Sequence, residues 1–150
     1  MARPTNTQFA LAVHVLTVLA ARPEEVQSSE QLASSAGASP VHVRRVLGGL
    51  RRAGLVTSRP GVKGGWQPAA RFEATTLGDV WRAVHGDDRL LGLHEASPDC
   101  AVGQRIQSAL ERIDADAAEA IERELDKTTL CELARRTAAD QPLAAGATTA

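Results

Sequence analysis

The sequence predicts a mostly α-helical fold with one small β-hairpin and a long helix towards its end. Three observations carry this. Residues 39–68, SPVHVRRVLGGLRRAGLVTSRPGVKGGWQP, read as a helix, a sharp stop, a strand, a glycine-rich basic tip and a second strand. A short helical pattern with a glycine turn stands just upstream, at Ser29–Gly37. A much longer apolar period runs from about Gln104 to Lys127.

In chain order, Asn6 or Thr7 is expected to cap a first helix reaching about Ala21. Phe9, Val13, Leu16 and Ala20 share a face, and Leu11, Val15, Val18 and Leu19 widen it. A helix apolar on most sides is a buried one, here covered by the core and by a partner subunit. His14 lies within it and reads as a packed or hydrogen-bonded core histidine. Pro23-Glu24-Glu25 is the loop to the second helix, whose Leu32, Ala33 and Ala36 are small or apolar.

Ser39 caps the third helix, and Pro40 suits its first position, which needs no backbone N–H. Val43, Val46, Leu47 and Leu50 recur at helical spacing, with Arg44, Arg45, Arg51 and Arg52 off that face. Gly54 ends the helix where positive φ is needed. Leu55-Val56-Thr57 has strand composition, and Arg59 to Gly65 is a turn with two positive charges. Two short helices joined by a glycine turn make a helix-turn-helix, and the basic hairpin makes it a winged one.

Thr75 or Thr76 caps a helix over Leu77–Val84, with Asp79 in the first turn favouring the helix dipole and Gly86 closing it. Asp87 to Gly103 is irregular. In the long helix, Ile106, Leu110, Ile113, Ala117, Ala120 or Ile121, and Leu125 form one stripe. Thr128 or Thr129 caps a last helix from Leu130 to about Arg136, and residues 138–150 are read as a disordered tail. The organisation is then 1–86 winged helix-turn-helix, 87–103 a sensor-type loop, 104–137 dimerisation helix and last helix, and 138–150 tail.

The ordered series Phe9-Ala10-Leu11-Ala12-Val13, Ser29-Glu30-Gln31-Leu32-Ala33, Ser39-Pro40-Val41-His42-Val43, Leu50-Arg51-Arg52-Ala53-Gly54-Leu55-Val56 and Gly61-Val62-Lys63-Gly64-Gly65-Trp66 resembles the Rrf2 family of bacterial transcription regulators. Thr76 to Val84 resembles the family's helix after the wing. The likeness covers about residues 5–135, and the wing is its most specific part. It implies DNA binding, and a dimer built on the long helix. Two departures stand out. Many members carry arginine directly before the first wing glycine, where this chain has Pro60, with Arg59 one residue earlier. Members that hold an iron–sulfur cluster carry three closely spaced cysteines in the loop before the dimer helix, where this chain has Cys100 alone. No cofactor is therefore expected, since clusters need three or four mostly thiolate ligands. Ser97 to Gly103 resembles the cluster-free members.

Composition agrees. Aromatics are 3% with no Tyr, so the core rests on Ala, Leu and Val. Residues 1–75 hold nine Lys/Arg against four acids, and residues 76–150 hold eight against fourteen. A basic half and an acidic half suit a nucleic-acid face and a separate face held away from it. No apolar run approaches the ~18 residues of a membrane span. No signal-peptide pattern opens the chain, and two cysteines make no disulfide framework, so a cytoplasmic protein is expected.

Recognition-helix N-termini meet base edges, which points to Ser39, Val41, His42, Arg44 and Arg45. Arg pairs with guanine, His42 reaches a base or a phosphate, and Val41 meets a thymine methyl. Arg59 and Lys63 enter a minor groove or track phosphates, and Gly64, with Gly61 and Gly65, lets the tip approach the backbone. Trp66 reads as a packing anchor for the wing. Arg51 and Arg52 either touch phosphate or favour the dipole. Cys100, with His94, is the sensor candidate. A thiol at a helix N-terminus is reactive as thiolate, and the alternative is a small capping residue. Cys131, beside Leu130 and Leu133, reads as a buried small hydrophobe.

No phosphate loop, nucleophile elbow or metal-spaced His/Cys cluster is present, so no enzyme is expected. The expected function is a dimeric, sequence-specific repressor on a two-fold symmetric operator, with half-sites spaced by roughly 34–36 Å. A thiol signal or small ligand would act through the loop at Cys100. The alternative is a winged-helix interaction module that binds no DNA.

Overall fold

The computed structural model describes the backbone of residues 5–139 and the side chains of residues 7–136. Six α-helices, one 3-10 turn and one hairpin follow in the order α1 (Thr5–Ala21), α2 (Ser29–Ala36), α3 (Pro40–Arg52), β1 (Val56–Arg59), β2 (Gly65–Pro68), the 3-10 turn (Phe72–Ala74), α4 (Leu77–His85), α5 (Ala101–Leu125) and α6 (Leu130–Ala139). The strands pair antiparallel, Val56 opposite Pro68 and Arg59 opposite Gly65.

The core gathers where α1, α2, α3 and α4 converge. Leu11, Ala12, Val15, Leu16 and Leu19 from α1 meet Leu32 of α2, Val43, Val46, Leu47 and Leu50 of α3, Val56 and Val80. Leu130 of α6 closes it from the far end. Trp81 lies edge-on to Phe9 at 5.5 Å and is stacked on His85 at 4.3 Å. These rings join α1 to α4 beside the aliphatic core.

Caps fix the short helices. Ser28 and Gln31 make a reciprocal capping box on α2, and Gly37 ends it in the left-handed region at φ 60. Ser39 Oγ accepts from the His42 N–H at 3.3 Å and starts α3 two residues beyond Gly37. Gly54, φ 74, lets the chain leave α3.

Several expectations are corrected. Helix α1 begins at Thr5, ahead of both expected caps, because cap preference fixes a boundary only to within a residue or two. His14 is exposed and shares a 3.2 Å hydrogen bond between its Nε2 and Ser35 Oγ. A helix apolar on most sides does not reveal which edge turns inward, and the inward edge is the one that carries Leu11, Ala12, Val15, Leu16 and Leu19. Leu55 precedes the strand, and Arg59 belongs to β1, leaving residues 60–64 as the tip. Helix α5 starts three residues earlier than read, at Ala101, because Cys100 is its cap. It stops at Leu125, and α6 runs on to Ala139. Cys131 is half-buried, and Leu130 is the residue that enters the core. The tail read from 138 lies outside the described residues beyond 139.

The α5 stripe also divides. Ile106, Ile113 and Ala120 are exposed, whereas Leu110, Ile121 and Leu125 are half-buried along the neighbouring edge. Asp114 is buried, its carboxylate accepting from the Leu91 N–H at 2.6 Å, so this edge of α5 faces its own domain.

Candidate nucleic-acid interface

The two caps at the α2–α3 turn leave the N-terminal half of α3 standing out from the core. Val43, Val46, Leu47 and Leu50 are buried, which turns the intervening positions outward. Val41 is 67% exposed, an aliphatic side chain turned to solvent. Arg44 and Arg45 are exposed, His42 is half-buried and Ser39 is exposed. These five expected residues therefore share one surface at one end of one helix.

Their electrostatics differ. Arg44 reaches Glu30 of α2 at 3.5 Å. This pair is solvent-exposed, and such pairs contribute little, so a phosphate or guanine competes for Arg44 readily. Arg45 has no ion-pair partner among the described residues. Arg51 donates to Ser58 Oγ at 3.2 Å and ties the end of α3 to the first strand.

The hairpin places the second group of cations. Arg59 closes the ladder opposite Gly65, and Lys63 is exposed at the tip beside the fully exposed Val62. Gly61 takes φ 103. Gly64 donates to the Gly61 carbonyl at 2.9 Å. A Cβ on Gly64 would run into the carbonyls of Arg59 and Gly61, so the tip closes only around glycine there.

The base of the wing is held by a bridge that sequence reading missed. Gln27 and Trp66 exchange both backbone hydrogen bonds, at 3.0 and 2.8 Å. Trp66 Nε1 donates to Ser29 Oγ at 3.2 Å, and the ring packs against the core. Trp66 thus anchors the wing, as expected. Gln27 carries no strand signal of its own, because a single bridging residue has no period to detect.

The sensor candidates lie elsewhere. Cys100 is exposed and free, and its Sγ accepts from the Gly103 N–H at 3.3 Å as the cap of α5. His94 is exposed in the preceding loop. The structure does not bring Cys100 and His94 to the α3–wing surface. Among the described residues, no three His, Cys, Asp or Glu side chains converge on a metal site.

A second cluster went unread. Arg82 of α4 donates to Asp79 at 2.9 Å, to Glu122 at 3.1 Å and to Asp126 at 2.9 Å. Asp126 also accepts from Thr76 Oγ1 at 2.9 Å. Burial raises the Asp79 carboxyl, but the Thr76 backbone N–H and Arg82 outweigh it and hold it below the ordinary range. Arg82 and Thr76 hold Asp126 low as well, and the carboxylates raise the guanidinium. Sequence reading found only the dipole role of Asp79, because the partners that Arg82 reaches at the end of α5, Glu122 and Asp126, stand 40 and 44 positions away.

A capped helix-turn-helix with an exposed third helix, followed by a basic glycine-tipped hairpin, defines the winged helix-turn-helix class of transcription regulators. The family profile of Rrf2, described as iron-dependent transcriptional regulator, matches residues 5–136, and the chain belongs to that family. YwnA of Bacillus subtilis, whose name assigns it to the HTH-type transcriptional regulators, is 36% identical over 83% of this chain and 92% of its own length. CymR of B. subtilis, its global cysteine regulator, is 27% identical with a TM-score of 0.61, over 87% of this chain and 95% of its own. A transcriptional regulator of Lactobacillus plantarum shares the fold at a TM-score of 0.76 and 22% identity, over 89% of this chain and 91% of its own. The chain is a transcription regulator with a DNA-binding fold and not an enzyme. The iron in the family description finds no matching donor set here: Cys100 is the one cysteine of the loop, and among the described residues no second or third ligand joins it. Among the described residues, no helix is long and apolar enough to cross a membrane.

Proposed function

We propose that the chain works in the cytoplasm as a homodimeric repressor, each subunit laying the N-terminal end of α3 into a major groove and its wing on the adjacent backbone. The observation that carries this is the common outward surface of Ser39, Val41, His42, Arg44 and Arg45. Arg45 and Arg44 read guanine edges, Val41 meets a thymine methyl, and Ser39 and His42 complete the contact. Lys63 and Arg59 supply phosphate or minor-groove contacts, and the missing side chain at Gly64 permits the approach.

Dimerisation rests on α5. Val102, Ile106 and Ile113 are 65%, 51% and 54% exposed along its outward edge. Three large aliphatic side chains in a row on a 25-residue helix mark an interaction face, and a second copy of the same helix fits it. The division of labour is then residues 1–86 for DNA, 87–103 for signal and 104–137 for pairing, with the first turn of α5, from Ala101, adding Val102 to the pairing face. Signal enters at Cys100, where oxidation of the thiol removes the sulfur cap of α5.

In vitro selection from random DNA tests the reading, with the reduced, the peroxide-treated and the Cys100→Ser protein. The expected result is a two-fold symmetric consensus, bound by the reduced protein and by Cys100→Ser, and released by oxidation of the native chain alone. A protein that enriches no sequence contradicts the DNA-binding reading. Binding that survives oxidation removes the thiol signal.

A further inference from the structure

The α4–α5 junction is more heavily fastened than the packing of two short surfaces requires. At the start of α4, Leu77 N–H donates to the Thr128 carbonyl at 2.9 Å, and Leu130 N–H donates to the Thr75 carbonyl at 2.9 Å. Thr76 Oγ1 donates to Asp126 at 2.9 Å. Arg82, one turn further along α4, forks across to Glu122 and Asp126 while holding Asp79 on its own helix. Gly78 lies against Asp126 so closely that a Cβ would overlap its carboxylate. The start of α4 is therefore fastened to the C-terminal end of α5 by side chains and a glycine contact, and to the loop that follows α5 by backbone hydrogen bonds.

The other face of α4 carries the join towards the DNA-reading helix. A Cβ on Gly49 of α3 would stand 3.1 Å from the Ala83 carbonyl oxygen, so α3 and α4 touch almost backbone to backbone. Arg82 and Ala83 are neighbours on α4. A rotation of α4 against α5 thus becomes a rotation of α3 against α5, with little soft side chain between to absorb it.

We propose that the Arg82 cluster is the joint that sets the angle between α3 and the pairing helix, and so fixes the spacing between half-sites that the dimer accepts. The inference rests on the DNA-binding dimer proposed above. Arg82 is a positioning residue: it touches no DNA and acts through α4 and α3. One added base pair moves a half-site by roughly 3.4 Å and turns it by about 35°, so a stiff joint rejects it and a loose joint accommodates it. Arginine suits the role because its planar fork engages several carboxylate oxygens at once. Lysine retains the charge and loses the fork.

The experiment uses the full chain and the consensus that wild type selects, presented with its half-sites at the selected spacing, with one base pair inserted or deleted, and as a single half-site. Wild type is expected to discriminate against the altered spacings by roughly tenfold or more, which is about 1.4 kcal/mol. Arg82→Ala is expected to reduce that discrimination to about threefold or less, while half-site affinity and dimer mass stay at the wild-type level. Arg82→Lys recovers part of the discrimination. Gly78→Ala, which forces Asp126 aside without removing a charge, relaxes spacing in the same direction.

Full spacing discrimination in Arg82→Ala overturns the proposal. So does an equal loss of affinity on every DNA, which is the mark of a general structural role. A wild type that binds single half-sites but ignores spacing overturns the joint and leaves DNA binding standing, whereas a wild type that selects no DNA removes the underlying reading and the joint with it.

Discussion

Residue by residue, the chain separates cations that are committed from cations that are available. Arg82 is surrounded by three carboxylates, whereas Arg45, Arg59 and Lys63 face solvent with no ion-pair partner among the described residues. Charge alone does not distinguish these two groups in the sequence. Local rules found Ser39, Pro40 and Gly54, because capping and positive φ are set by near neighbours. The same rules could not find Asp126, whose partner Arg82 lies 44 positions away. The carboxyls of Asp79 and Asp126 are both held below their ordinary range, near pH 4. A group lowered on folding stabilises the fold fully above its unfolded value and loses that contribution as pH falls through its folded value. The stability difference between wild type and Asp126→Asn is therefore expected to be full at pH 7 and to shrink below about pH 4. Thermal melts of both proteins from neutral to acid pH check this, and a difference that grows on acidification contradicts it.

Among the elements, those with a strong period were legible and those made by single contacts were not. Helix α3 was read to its caps, because Val43, Val46, Leu47 and Leu50 mark one face unambiguously. Helix α1 was located but not oriented, since its apolar residues cover most of its circumference, and His14 was misplaced as a result. The 3-10 turn at Phe72–Ala74 has no period and went unread. The wing was legible from its glycines, yet its footing on Gln27 was not. The hairpin gives a prediction at this scale. Gly64→Ala places a methyl against two backbone carbonyls, and the tip must open. The expected outcome is weaker DNA binding by about tenfold with unchanged dimer mass, read by titration and light scattering. An affinity equal to wild type means that the wing tip does not approach the phosphates.

As a whole molecule, the chain puts the proposed DNA-reading surface and the proposed pairing surface on separate elements, with α4 between them. The surplus of bases in residues 1–75 and of acids in residues 76–150 follows this division. The fold class was legible because each level of the sequence points the same way: caps, periods, turn glycines and charge segregation. The edge of α5 that meets its own domain was not, because a continuous stripe on a long helix does not separate residues turned inward from those left exposed. Ile106→Glu with Ile113→Glu places two charges on the exposed edge of α5 and leaves the core untouched. It is expected to give a folded monomer by light scattering, with operator affinity reduced by about a hundredfold or more as the second half-site is lost. A dimer of unchanged mass places the pairing surface elsewhere. The central claim, that α3 and the wing together hold DNA, is tested most directly by measuring affinity for the selected operator across salt concentration. The account predicts a steep fall for wild type, a slope smaller by roughly one unit in Lys63→Ala, and weaker binding with relaxed base preference in Arg45→Ala. Affinity unchanged by salt, or by both substitutions, contradicts it.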